Sequence, residues 1–193
     1  MKNQIAQAAA REIARRGLHF SIRDLTASLG ISSKTLYQHF ESKEAIIGYL
    51  VEQSIEDMRS EEQRLLDNHD MPLSKRLREL LIVLPQGFSF TQVGVLDELR
   101  RKYPAGWATL DEYLNQGWDN IRRLFQEGME SGEFRRFNPE LFIQAYVGGM
   151  YQIMDSEGGR QRGVQETLAE LVDLLLNGIH APGSNDKSKE DME

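Results

Sequence analysis

The chain has 193 residues, 40% of them hydrophobic and 27% charged, enough apolar material for one or two packed domains. It contains no cysteine, which excludes disulfides, thiolate nucleophiles and Cys-based zinc or iron–sulfur sites. The net charge of −7 is unevenly placed: residues 1–50 carry seven basic side chains against four acidic ones and the remainder sixteen against twenty-six, so a small basic unit stands on an acidic body. The longest apolar run, Leu80 to Leu84, is stopped by Pro85, well short of the roughly 20 residues needed to span a bilayer. Met1 to Glu12 lack a continuous apolar secretory core, so the expectation is a cytoplasmic protein without membrane association.

Period-2 Val/Ile/Thr runs are missing, and the chain reads as all-α. Ile5, Ala9 and Ile13 repeat every four residues in a first helix over 4–16, with Gly17 as its stop. Ser21 with Asp24 three residues on, and Phe20 paired with Leu25, set the start of a short second helix that ends near Leu29-Gly30. Ile31 and Leu36 flank Ser32 in the same way, so a third helix begins almost at once. From Ser42 the residues Ile46, Ile47, Leu50, Val51, Ile55 and Met58 form one stripe on a long helix reaching about Asn68, expected to join two domains.

A fifth helix is predicted over Leu73–Leu84, then an irregular stretch around Phe88-Ser89-Phe90 and a helix ending near Tyr103-Pro104. Trp107, Leu110, Leu114, Trp118, Ile121 and Phe125 predict a single helix of about 25 residues ending near Ser131-Gly132. Asn138-Pro139 opens a helix to about Ser156, and the last helix runs from Val164 to Asn177 with Gly178 as its stop. Both are apolar over more than one face, and a twofold partner covering 139–156 and 164–180 is the expected cover, with Gly148-Gly149 permitting close approach. The segment 182–193 has little to bury and is expected to be a disordered tail.

Two short helices with a glycine in the turn, the second opening on Ser32-Ser33-Lys34-Thr35, suit a helix-turn-helix reader of double-stranded DNA. Small hydroxyls and a lysine at an exposed helix start can reach base edges in the major groove, where lysine favours guanine O6 and N7. Leu36 and Phe40 face inward, while Tyr37 and His39 flank the helix within reach of phosphates. Lys43 and the free N–H groups behind Ser42 are read as a further phosphate site.

The stretch from Phe20 to Glu44 resembles the signature of the TetR (tetracycline-repressor-like) family of transcriptional regulators. Gly30-Ile31-Ser32, Thr35-Leu36-Tyr37-Gln38-His39-Phe40 and Ser42-Lys43-Glu44 stand in the family's order and spacing. Thr26 stands where alanine is usual and Lys34 where glycine is frequent. The resemblance implies an N-terminal three-helix DNA-binding domain over 1–47 and a helical-bundle dimerisation and ligand-sensing domain over 48–181. It implies an operator contacted by Arg23, Ser32, Ser33, Lys34, Thr35, Tyr37, His39 and Lys43, and a homodimer repressing transcription until a small, largely apolar effector binds. Trp107, Tyr113, Trp118, Phe125, Tyr146 and Met150, with Tyr151 and Met154, are the candidates for the effector site.

No cofactor or metal set is read: the four histidines are isolated, and nucleotide, hydrolase and zinc-protease motifs are missing. The acidic pairs Asp97-Glu98 and Asp111-Glu112 read as solvated helix-face charge rather than acid–base machinery. An enzyme is not expected; a helical adaptor or ligand carrier that no longer reads DNA is the alternative.

Overall fold

In the computed structural model the described residues are 1–84, 93–155 and 163–179. The predicted irregular stretch at 88–90, the helix end at Ser156 and the tail 182–193 lie outside them. The described elements are α1 (Lys2–Arg16), a 3-10 turn (Gly17–His19), α2 (Ile22–Leu29), α3 (Ser33–Tyr37) and α4 (Lys43–Leu66). They continue with α5 (Leu73–Leu81), α6 (Val93–Lys102), α7 (Pro104–Asn115), α8 (Asp119–Ser131), α9 (Pro139–Asp155) and α10 (Val164–Ile179). None of the described helices is long and apolar enough to cross a membrane.

Local chemistry sets the first three helix starts after α1. Ser21 accepts from the Asp24 backbone N–H at 3.1 Å while its own N–H donates to Asp24 Oδ2 at 3.0 Å, closing a capping box. The Ser21 hydroxyl, donating to Asp24 Oδ2 at 2.7 Å, and the Ser21 N–H hold the Asp24 carboxyl below its usual range. Ser32 Oγ accepts from the Thr35 N–H at 3.0 Å and Ser42 Oγ from the Ala45 N–H at 3.1 Å. Between α2 and α3, Gly30 adopts φ +65°, a left-handed conformation that side-chain-bearing residues avoid. Ser21→Ala is expected to cost about 1 kcal/mol, read as a lower midpoint in urea unfolding.

Ile5, Ala9 and Ile13 from α1, Leu25 from α2, Leu36 from α3 and Ile46 and Ile47 from α4 are fully buried, so the N-terminal helices share one core. Burying a leucine such as Leu36 stabilises by ~1.5–3 kcal/mol, which is what holds so short a helix as α3. Thr26 is buried as well, its hydroxyl satisfied by the Arg23 carbonyl at 3.1 Å.

The single 25-residue helix expected from Trp107 onward is two helices. The chain extends at Gln116 and turns at Gly117 with φ +80°, ending α7 and starting α8. The apolar spacing runs on across the break because both helices turn toward the same core, Trp118 resting edge-on against Tyr146 of α9 at 5.5 Å. α5 also stops at Leu81, short of the predicted Leu84. Gly178 does not end the last helix, which continues to Ile179. Arg135 closes that end instead: its Nε donates to the Gly178 carbonyl at 2.7 Å and its backbone N–H to the Ile179 carbonyl at 2.9 Å.

α9 and α10 pack against each other within the chain at Gly149, where an added Cβ would stand 2.6 Å from Leu171 Cδ2. Gly148, next to it, faces open space. Leu141 of α9 is 63% exposed and Leu174 of α10 72% exposed, so each helix keeps an apolar residue on its outer side.

Candidate nucleic-acid interface and the adjoining cavity

α3 presents two faces. Leu36 and Phe40 are buried beneath it, while Ser32, Ser33, Lys34, Tyr37 and His39 are exposed and Thr35 is half-buried. His39 lies just past the last helical residue, its N–H donating to the Leu36 carbonyl at 2.9 Å, so the turn continues the helix's course. Ser32 and Thr35 hydroxyls stand 2.9 Å apart and already share a hydrogen bond. Tyr37 is half exposed, and Arg23, on α2, is exposed. α3 and the turn after it therefore present Lys34, Tyr37 and His39 outward with the hydroxyls of Ser32 and Ser33.

Lys43 departs from the expectation of a phosphate ligand. Its ammonium turns inward, donating to the Leu18 carbonyl and lying 4.4 Å over the Phe20 ring. Burial pushes it below the ordinary lysine range, with the charges of Glu98 and Glu44 opposing that shift. Lys43 thus ties the start of α4 to the 3-10 turn.

The acidic pair Asp97-Glu98 does not lie wholly on a solvated face, as its sequence suggests: Glu98 is only 6% exposed. Its carboxylate accepts from the Leu18 N–H at 2.9 Å and from Lys102 Nζ at 2.7 Å, and His19 Nε2 stands 2.9 Å from Oε1. A carboxylate from α6 therefore holds the turn between α1 and α2. Burial alone would raise its pKa, but the bonds from Lys102 and Leu18 and the charges of His19 and Lys102 together set it below the usual carboxylate range. Sequence reasoning misses it, although Glu98 falls three residues after Val95 and beside Leu99 on the helix's buried stripe.

Between α4, α7 and α9 lies a cavity of about 900 Å³. Tyr113, Trp118, Tyr146, Met150 and Met154 line it, as the sequence suggests. Trp107, Phe125 and Tyr151 do not: Trp107 packs edge-on against Tyr151 at 6.3 Å, the Tyr151 hydroxyl donates to Asp111 Oδ1 at 2.5 Å, and Phe125 is fully buried between Phe142 at 4.7 Å and Phe137 at 5.0 Å. Neighbouring helices needed to pack one another claim these rings first. Tyr146 spends its hydroxyl on the Leu81 carbonyl at 2.7 Å. Tyr113 donates to Glu62, which the sequence reading overlooks, and burial pushes the Glu62 carboxyl up. Its signal is its register: Glu62 lies four residues after Met58 and four before Leu66, on the apolar stripe of α4.

A capped, outward-facing second helix on a three-helix N-terminal unit, joined to a larger helical body, defines a helix-turn-helix DNA-binding regulator. The family described as bacterial regulatory proteins, tetR family, matches residues 5–50. An HTH-type transcriptional regulator, YvaF, of Bacillus subtilis (strain 168) is 33% identical over 183 residues, covering 94% of this chain and 96% of its own. The HTH-type transcriptional repressor KstR2 of Mycolicibacterium smegmatis is 30% identical over 142 residues, covering 69% of this chain and 67% of its own. The fold is shared with PfmR, a TetR family regulator from Thermus thermophilus, at a TM-score of 0.64 and 22% identity over 90% of this chain and 97% of that one. This chain belongs to the TetR family of transcriptional regulators; it binds DNA and is not an enzyme.

Proposed function

We propose that the protein is a cytoplasmic repressor that binds a near-palindromic operator as a homodimer and releases it when a small, largely apolar effector enters the cavity. Residues 1–47 form the DNA-binding unit in this reading, and 48–181 the sensing and dimerising body. The observation that carries it is the split character of α3, whose apolar residues are buried while Lys34, Tyr37 and His39 stand outward. Ser32, Ser33, Lys34 and Thr35 then enter the major groove, and Arg23, Tyr37 and His39 contact phosphates. Lys43 acts from behind, by holding the turn before α2 to the start of α4.

The exposed Leu141, Gly148 and Leu174 support a twofold interface through the outer faces of α9 and α10. Symmetry then duplicates α3, so the operator consists of two half-sites about one helical turn apart. A repressor is named among the relatives, KstR2, which favours that sign of regulation. Release requires only that the effector bind better to a form whose α3 helices no longer match successive grooves; a coupling of ~1–3 kcal/mol suffices.

Selection of bound duplexes from a random pool is expected to return an inverted repeat, and affinity for it is expected to fall steeply between about 50 and 200 mM salt, as the release of phosphate-bound cations dictates. A pool that enriches nothing overturns the reading. Lys34→Ala is expected to cost ~1–3 kcal/mol if Lys34 reads a base, with relaxed preference at one position, or to lower the salt slope by about 1 if it meets a phosphate. Unchanged affinity, preference and slope in a fluorescence titration leave Lys34 outside the interface.

A further inference from the structure

We propose that the cavity between α4, α7 and α9 takes an organic cation: an apolar body carrying a positively charged nitrogen, with the charge held against Glu62 and the carboxylates at the mouth. The inference rests on reading the cavity as an effector site, and it adds the sign of the effector's charge.

The first observation is the balance of charge in the lining. Its ionisable side chains include Glu52, Glu56, Glu62 and Glu112, and among the described residues Arg59 is the only lining cation. The deeper wall is apolar, with Ile55, Met58, Leu80, Leu110, Met150 and Leu168 among its residues. In a concave site with low-dielectric walls, carboxylates of one sign act together and favour a cation over an anion of the same shape. Glu52, Glu56 and Glu112 are exposed, where water screens them, so the part-buried Glu62 carries most of the discrimination against an anion.

The second observation is the state of Glu62. It is part-buried, and Tyr113 donates to one of its oxygens. Arg59 lies 5.8 Å from the centre of the Tyr113 ring, close enough to favour the charged carboxylate, yet desolvation dominates and raises the Glu62 pKa. The carboxylate is thus under-compensated within the protein, and a cation in the cavity supplies the missing charge.

The test compares three probes with the same ten-carbon tail and different heads: decyltrimethylammonium, decanol and decanoate, titrated calorimetrically below their micellar concentrations into the full-length protein. Decyltrimethylammonium is expected to bind at least about tenfold more tightly than decanoate and to weaken with added salt. Glu62→Gln is expected to lower affinity for the cation by about tenfold and leave decanol unchanged. Glu56→Gln, at the exposed mouth and harmless to the core, is expected to shift the cation in the same direction by less. Equal binding of all three probes, preference for decanoate, or a cation affinity unmoved by either variant overturns the assignment of charge and leaves the effector site standing. If none of the three binds, the reading of the cavity as an effector site falls, and this inference with it.

Discussion

Glu98→Ala is expected to lower the unfolding free energy by about 3 kcal/mol, measured by urea denaturation at pH 7. The variant removes the acceptor of the Leu18 N–H, which lies in a buried turn, and strips His19 and Lys102 of their shared anion. An unpaired buried N–H alone costs ~1–3 kcal/mol, and the hydrogen bonds from charged groups add to it. Glu98→Gln keeps an acceptor near Leu18 while losing the charge, so its loss should be about half as large. The pH dependence follows from the direction of the Glu98 shift. Its carboxyl is held below the usual range in the folded protein, so the unfolded chain binds that proton more readily. The contribution is therefore complete above the unfolded carboxylate pKa of about 4.3 and fades as pH falls through the lower folded value. The wild-type protein should lose stability between those two values, and Glu98→Gln should lose less over the same interval. A Glu98→Ala protein as stable as the parent at pH 7 would show that the contacts to the turn contribute nothing net.

The bonds at Glu98 also bear on how far a sequence carries the structure. The N-terminal helices are legible because their signals are local. Ser21 with Asp24, Ser32 with Thr35 and the left-handed Gly30 each act within four residues, and the structure shows every one of those features. The break at Gly117 is not legible, because apolar spacing reports which residues face the core and not whether the backbone between them stays helical. Trp118 keeps the register by packing on Tyr146, a partner 28 residues away that no local pattern names. Glu98 and Glu62 escape the sequence for a related reason. A carboxylate on an apolar stripe is read by default as solvated, and only the approach of Leu18 in one case and Tyr113 in the other makes it buried. Among the aromatic candidates, the sequence can nominate Trp107 and Phe125 for a cavity, but which rings line it and which pack against one another depends on the crossing of helices distant in the chain.

Leu174→Glu is expected to leave the folded chain intact and to reduce operator affinity by two or more orders of magnitude. Leu174 is 72% exposed on α10, so a glutamate there meets water within the single chain and should change its stability by less than about 0.5 kcal/mol. In the proposed dimer the same residue belongs to the covered outer face of α10, and symmetry adds two new carboxylates to one apolar interface. Neither can be desolvated without a partner, and separation of the protomers is the cheaper outcome. A separated protomer keeps α3 and every contact to one half-site. What it loses is the second half-site, whose binding within the dimer is an intramolecular event and commonly adds ~10²–10⁴ to affinity. Sedimentation should therefore report a monomer, circular dichroism a helical content like the parent's with a urea midpoint that no longer depends on protein concentration, and titration a protein that binds a half-site and a full operator almost equally. Full operator affinity retained by Leu174→Glu would place the dimer interface elsewhere on the chain, away from the outer faces of α9 and α10.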